Sequence, residues 1–432
     1  MNPILISIGR GLLGLLVLLS LAWALSSQRK NIPWKTVGTG LLLQALIAVG
    51  LLYWEGLATL FEVFGNFFVK ILDYTGAGTQ MLLGELGRAE GRGFIFVFQA
   101  LPVIIFFSAL TSLLYYFGVL QAIVKALAWG LTKSLNISGA ESLSVAGNIF
   151  LGQSEAPLLI KTYLKNMSQS ELFLVMVGGM ATVAGSVMGA YIGFLGGSDP
   201  ESQLRFAKAL LAASVMAAPG AVVVAKIMQP PKDEVDSKID IHNHQVGDTL
   251  LDAITNGTQE GVRMAVNVGA MLLVFIALIA LVSGILEAVG EIGNLNLWIA
   301  ENTPYPHLSL EFVLGYLFAP LMWIIGVPGP DTALLGQLLG IKLVASEFVA
   351  YAQLADLKEM VTGGLQHPKS VLMASFMLCG FANFASIGIQ VGGIGVLVPE
   401  RRKDLIALGP RAMIGGTLVS LISATLVGML LV

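Results

Sequence analysis

Apolar residues run along this chain in blocks of about the 20 residues needed to cross a bilayer as a helix, separated by short polar stretches. The blocks at 4–25, 37–53, 93–116, 171–194, 204–228, 264–289, 370–398 and 405–432 predict eight membrane spans. Two other stretches carry a different pattern. Between 54 and 73, Leu57, Leu60, Phe61, Phe64, Phe67, Phe68, Ile71 and Leu72 recur at helical spacing among Glu55, Glu62, Lys70 and Asp73. Residues 249–263 are amphipathic as well. Both read as helices lying in the membrane interface. The stretch 230–248, dense in Lys, Asp, Glu and His, reads as a solvated linker.

Several apolar segments are broken where an ordinary span would continue. Gly147 to Lys161 reads GNIFLGQSEAPLLIK, with two amides, a hydroxyl and a carboxylate flanked by long apolar segments. A carboxylate at membrane depth costs a few kcal/mol or more and marks function. Residues 308–355 are interrupted at Pro320 and at Gly326 to Asp331, and carry a second Ser-Glu pair, Ser346-Glu347. The span at 171–194 is interrupted at Gly185-Ser186, and that at 370–398 between Asn383 and Gly388. Span, broken segment and broken span thus recur in the same order in both halves. Three apolar passes per unit require the two repeats to lie inverted. Backbone groups freed at such breaks survive in a membrane only where protein, ion or solute satisfies them, so paired broken segments point to a secondary transporter with a midplane site. The alternative is that the Ser-Glu dipeptides recur by chance.

Composition fixes the class. Of 432 residues, 56% are hydrophobic and 12% charged, half the charged share of soluble domains. The 50 glycines suit closely approaching membrane helices. The net charge of −3 points to no partner, and the lack of a basic face or aromatic-basic motif argues against nucleic acid. One cysteine, Cys379, excludes an internal disulfide and a CxxC motif, and the four histidines lack zinc-site spacing. Arg29, Lys30, Lys35 and Arg401, Arg402, Lys403 follow the first and seventh spans, whereas the loops after the fourth and sixth carry no Lys or Arg. The positive-inside bias then places both termini outside the cytoplasm and the linker inside.

Two groups of residues carry candidate chemistry. Asn148, Leu151, Ser154, Thr182 and Val183 offer side-chain and freed backbone oxygens, a neutral cage suited to a monovalent cation; alternatively, Asn148 and Thr182 form helix–helix hydrogen bonds. Gln153, Glu155, Glu347, Asn383 and Ser386 offer donors and acceptors from both halves and suit a polyhydroxylated or amide-bearing solute. Phe381 either stacks on a ring of that solute or packs the helix. The glutamates are alternatively half of buried ion pairs, but no basic residue is expected in the apolar arms. A carboxylate-bearing substrate would want Arg or Lys nearby, and an intramembrane enzyme would want paired aspartates, Ser-His or HExxH, none of which appears. A pore has no need of mixed reading groups. The chain is read as a transporter and not an enzyme, with no organic cofactor.

At these residues the chain resembles the concentrative nucleoside transporter family over nearly its whole length. The resemblance rests on Ala100 to Leu110 (ALPVIIFFSAL), Gly152 to Pro157 (GQSEAP), Glu347 to Tyr351 (EFVAY) and Cys379 to Ile387 (CGFANFASI). It implies an all-α polytopic membrane protein with eight transmembrane helices, two re-entrant hairpins at 139–165 and 309–355, interfacial amphipathic helices and inverted repeats. It further implies a homotrimer in the bacterial inner membrane in which a transport domain moves like an elevator. On that scheme residues 1–136 belong to the scaffold, 137–228 to the first transport half, 229–307 to linker and scaffold, and 308–432 to the second transport half. Carried over by motif position, Gln153, Ser154 and Glu155 read the nucleobase, Val187 and Phe381 pack on it, and Glu347, Asn383 and Ser386 bind the ribose. Asn148 and Thr182 side chains with Leu151 and Val183 carbonyls hold sodium. Gly152-Gln153 and Thr182-Val183 resemble the broad-selectivity combination, so uridine, cytidine and adenosine are all expected substrates; Ser154 departs from the threonine common in the family. Some family members couple to protons, but the intact Asn148 and Thr182 point to sodium.

Overall fold

The computed structural model describes residues 3–87, 95–232 and 249–431. The expected start of the third span at Gly93, and the linker with Lys238, His242 and His244, lie outside the described residues. The described residues contain helices and no strand. Among them, seven helical stretches are long and apolar enough to cross a membrane. The remaining expected span, at 370–398, is two shorter helices, Pro368–Leu378 and Phe384–Leu397.

Three sequence expectations need correction. The amphipathic stretch at 249–263 and the sixth span are one uninterrupted helix, Leu250–Gly290. At 41 residues it is about 60 Å long, twice the hydrocarbon core, so its first turns extend past the apolar layer while its last turns cross it. The amphipathic helix after the second span runs Glu55–Leu83, ten residues beyond the expected end. Pro320 does not interrupt its segment: Leu310–Ile324 continues through it and stops before Gly326, whose φ of +101° favours glycine.

Leu250–Gly290 packs along Leu101–Tyr116 through a glycine seam. A Cβ at Gly257 would lie 2.8 Å from Ala109 Cα, and one at Gly261 2.7 Å from Ile105 Cα. This GxxxG spacing lets the two backbones touch. Gln169–Ala181, Gly185–Gly196, Pro200–Met228 and Arg402–Leu430 form a densely buried bundle. Pro200–Met228 lies at its centre, against Trp34–Tyr53, Glu55–Leu83, Gln169–Ala181, Gly185–Gly196 and Arg402–Leu430. The first helix, Pro3–Ala24, packs on Arg402–Leu430, and Arg10 Nη2 donates to Val327 O at 2.7 Å.

Two helix–turn–helix units enter this bundle. In the first, Ser138 and Glu141 form a capping box that starts Gly139–Gly147. An irregular stretch follows, then a 3₁₀ turn at Ala156–Ile160 and Lys161–Leu164. Glu141 is buried and paired with buried Lys226, whose Nζ also donates to Ser170 Oγ at 3.3 Å. In the second unit only Ala345 and Ser346 separate Thr332–Val344 from Glu347–Glu359. Ser346 caps the new helix, its Oγ accepting from Val349 N at 3.4 Å. Buried Asp331 holds the base of this unit, accepting from Gln366 N at 2.9 Å, His367 N at 3.1 Å and Ser370 Oγ at 2.5 Å.

Two spans are broken beside these units. Gln169–Ala181 gives way to extended Thr182 and restarts at Gly185. Pro368–Leu378 stops before Cys379, and Phe384 restarts the helix under an Asn383 cap. Both breaks fall a few residues before the expected positions, because the expected residues are the caps and first turns of the restarted helices. The breaks face each other: a Cβ at Gly380 would lie 2.7 Å from Ala181 O, and Gly380 has φ +124°. Only glycine meets both demands there.

A polar cavity between two broken spans

The restarted helix Phe384–Leu397 brings the second-half residues together. Asn383 Oδ1 accepts from Ser386 N at 2.8 Å as the N-cap, leaving its amide nitrogen to donate to Glu347 Oε2, also at 2.8 Å. Glu347, 3% exposed, sits in the first turn after the Ser346 cap, where the helix dipole favours a carboxylate. Its other oxygen accepts from Tyr191 OH at 3.1 Å. Ser386 Oγ accepts from Gln153 Nε2 at 3.0 Å, which joins the second half to the first. A chain of polar groups thus runs from Tyr191 through Glu347, Asn383 and Ser386 to Gln153.

These groups line a cavity of about 320 Å³. Gln153, Ser154, Val187, Glu347, Phe381, Asn383 and Ser386 all border it. Glu155 does not: it borders an adjoining chamber of about 340 Å³, with Ser154 between the two, and its Oε2 accepts from Gly152 N at 3.5 Å. The far wall is the Leu250–Gly290 helix, which presents Glu260, Arg263, Met264, Asn267 and Met271 at helical spacing.

The first-half group assembles around Asn148, which is 1% exposed. A Cβ at Gly178 would lie 3.5 Å from Asn148 Nδ2, and Thr182 Oγ1 donates to Gly178 O at 2.9 Å, so both side chains meet the same turn. Gly185 N donates to Phe150 O at 3.0 Å, tying the irregular stretch that holds Leu151 to the break that holds Val183. Leu151, Thr182 and Val183 are all buried. Neither amide atom of Asn148 finds a partner within the protein. Leaving buried polar atoms unpaired costs about 1–3 kcal/mol each. A buried carboxamide oxygen open beside a helix break fits a small monovalent cation.

The sequence reading excluded basic residues from this neighbourhood, and the structure corrects it twice. Arg263 lines the cavity, contributed by a helix distant in sequence. Lys342 is fully buried inside the second unit. Its Nζ donates to Met377 O at 2.8 Å, a carbonyl at the end of the broken Pro368–Leu378 helix, and to Ser420 Oγ at 3.4 Å. The lysine thus satisfies the break and puts a basic group inside the unit that carries Glu347. Tyr191 and Gln390 were also missed. Each lies four residues beyond an identified position, Val187 and Ser386, on the same helical face, which is the signal that finds them.

Residues 209–428, half of the chain, match the model of the Na+ dependent nucleoside transporter C-terminus. The chain belongs to that family. Residues 13–86 match the N-terminal model of the same family, and 97–198 match a model described as nucleoside recognition. An uncharacterized transporter of Haemophilus influenzae is 39% identical over 98% of each chain. Sodium/nucleoside cotransporter 1 of Rattus norvegicus is 37% identical over 97% of this chain, which spans 63% of the rat protein. The structure of CNTnw in an inward-facing substrate-bound state is similar, with TM-score 0.88, 37% identity and coverage of 97% of this chain and 98% of that one. A CNTnw variant in an outward-facing state gives 0.89 at 36% identity, covering 98% of each. The family is one of multi-span sodium-dependent nucleoside transporters, not enzymes.

Proposed function

We propose that this family member couples sodium to nucleoside uptake, with broad acceptance of purine and pyrimidine nucleosides. The observation that carries the reading is the Glu347–Asn383–Ser386–Gln153 chain across two broken spans, beside an Asn148 amide with no protein partner. Glu347 and Asn383 have the acceptors and donors that a ribose diol requires, Gln153 faces the base, and Phe381 and Val187 supply its apolar walls. Ser154 borders both chambers, and Glu155 meets the base from the second. Asn148 and Thr182, with Leu151 and Val183 carbonyls, hold sodium as co-substrate. Sodium held there stiffens the irregular 148–155 stretch, whose far end carries Gln153, and so favours the nucleoside-competent arrangement; the coupling lies in that differential affinity.

Movement is proposed as an elevator. The Leu101–Tyr116 and Leu250–Gly290 pair forms the fixed wall, and the units at 137–228 and 308–432 slide along it as inverted repeats with re-entrant hairpins. The first two helices, which the sequence scheme gives to the scaffold, pack on Pro200–Met228 and Arg402–Leu430, and these contacts favour their travelling with the moving unit. The reading includes a homotrimer in a bacterial inner membrane with both termini on the non-cytoplasmic face. Radiolabelled uridine and adenosine uptake into proteoliposomes tests the coupling. Accumulation driven by an inward sodium gradient is expected; accumulation under a proton gradient alone assigns proton symport instead, and indifference to both defeats the proposal.

A further inference from the structure

We propose that Gln390 is a positioning residue for Gln153, acting through one water molecule shared by their two buried side-chain oxygens. The inference rests on the reading of Gln153 as the base-facing group. Gln390 lies one turn beyond Ser386 on the same face of Phe384–Leu397 and is 1% exposed. Its Nε2 donates to Met176 O at 3.0 Å, and its Oε1 receives no donor from the protein. Gln153 repeats the arrangement. Its Nε2 donates to Ser386 Oγ at 3.0 Å, and its buried Oε1 likewise receives none.

The two side chains meet at Gly179. A Cβ there would lie 2.7 Å from Gln390 Nε2 and 3.0 Å from Gln153 Cβ, so the glycine is what allows both glutamines into one layer. The Gln390 amide nitrogen and the Gln153 Cβ pack on that glycine, and each of the two side chains carries a buried oxygen with no donor from the protein. Two such acceptors on neighbouring side chains match a ligand with two donors, and water is the smallest that offers them. The bridge matters because the Gln153–Ser386 contact does not fix the carboxamide by itself. A hydroxyl donates as readily as it accepts, so Ser386 tolerates either orientation of the Gln153 amide. A water held by Gln390 Oε1 has a donor to give and selects the orientation that offers it an oxygen. Gln153 then presents one donor–acceptor pattern to the base without reorganising on binding, which lowers the cost of association.

A double-mutant cycle in proteoliposomes tests this, with sodium-driven uridine uptake read as KM and maximal rate separately. Gln390→Met keeps the length of the side chain and removes both its acceptor and its donor to Met176 O, whereas Gln390→Glu, when protonated, keeps both. Its expected effect is a rise in uridine KM of about fivefold, the loss of one ordinary hydrogen bond, at unchanged maximal rate and sodium half-saturation. In a Gln153→Met background the same substitution adds nothing, because the group it positions is gone. Gln390→Glu, which when protonated keeps a donor for Met176 O and an acceptor for the water, restores KM to within about twofold of the parent. Additive effects in the double variant, or a fall in maximal rate without a KM change, overturn the inference. Gln153→Met with unchanged KM defeats the underlying assignment of Gln153 instead, and the two failures are therefore distinct.

Discussion

The two helix–turn–helix units face one cavity but differ in how they satisfy their polar groups. In the second unit the turn is two residues long and Glu347 is fully engaged: Tyr191 and Asn383 each donate to one of its oxygens, and Asn383 also caps the next helix. In the first unit the turn runs irregularly from Asn148 to Glu155, and Asn148, Gln153 and Ser144 all retain buried atoms without protein partners. The second unit is therefore preorganised by hydrogen bonds to Glu347, whereas the first keeps buried polar atoms that, on the proposed function, sodium and nucleoside would satisfy. That asymmetry is what coupling needs. A site already complete in both halves would bind nucleoside without reference to an ion.

The largest effect is expected at the preorganised side. Glu347→Gln keeps the shape but replaces one acceptor oxygen with a donor, which then faces either the Tyr191 hydroxyl or the Asn383 amide. Both of those hydrogen bonds are disturbed at once. Nucleoside uptake should fall by about a hundredfold or more, the cost of mispairing a buried charged network of this size, while the protein elutes and melts as a folded species. Uptake within a few-fold of the parent would show that Glu347 is scaffolding and not ligand.

Asn148→Ala probes the incomplete side, and its sign separates the two regions. Removing an amide that has no protein partner should leave the melting temperature in sodium-free buffer unchanged or raised, since an unsatisfied buried group is deleted. The rise in melting temperature on adding sodium, which reflects ligand binding to the folded state, should disappear. Sodium-driven uptake should drop by about tenfold or more, a typical size for a coupling free energy between sites. A large loss of stability without sodium would mean that Asn148 is a packing residue.

The sequence reached the broken spans and most of the cavity for an identifiable reason. Gly147 to Lys161 and Cys379 to Ile387 place polar groups inside apolar blocks, and that conflict can be seen without coordinates. What it could not show were partners supplied across the fold. Lys342 is legible as a charge inside the second apolar arm, and the sequence reading overlooks it there; what the sequence hides is its partner, the carbonyl freed at Met377. Arg263 and Glu260 read as the polar face of an interfacial helix, because the wall opposite them comes from segments remote in the chain, around Gln153, Glu347 and Asn383. Leu250–Gly290 reads as two elements because its hydropathy changes midway, while the backbone, with no proline or capping sequence at that point, has no reason to stop. Glu155 was grouped with Gln153 by adjacency, yet the irregular turn directs them to different chambers.

Tyr191 offers the smallest and most selective test of the contrast, because it belongs to the first broken span but serves the second-unit carboxylate. Its ring is held between Tyr351, stacked at 4.3 Å, and Phe348, edge-on at 4.9 Å, so its hydroxyl reaches Glu347 from a rigid support. Tyr191→Phe preserves that packing and removes one hydrogen bond to a charged group, worth about 1.5–3 kcal/mol. If Glu347 binds the ribose, the freed oxygen changes how it meets the sugar hydroxyls. Nucleoside KM should then rise by about tenfold, while the sodium-induced shift in melting temperature stays, since Asn148 and Thr182 are untouched. The ratio between a ribonucleoside and its 2′,3′-dideoxy counterpart should narrow, because the dideoxy sugar never used that carboxylate. An equal loss for both sugars would place the effect of Tyr191 on the shape of the cavity and detach Glu347 from the ribose.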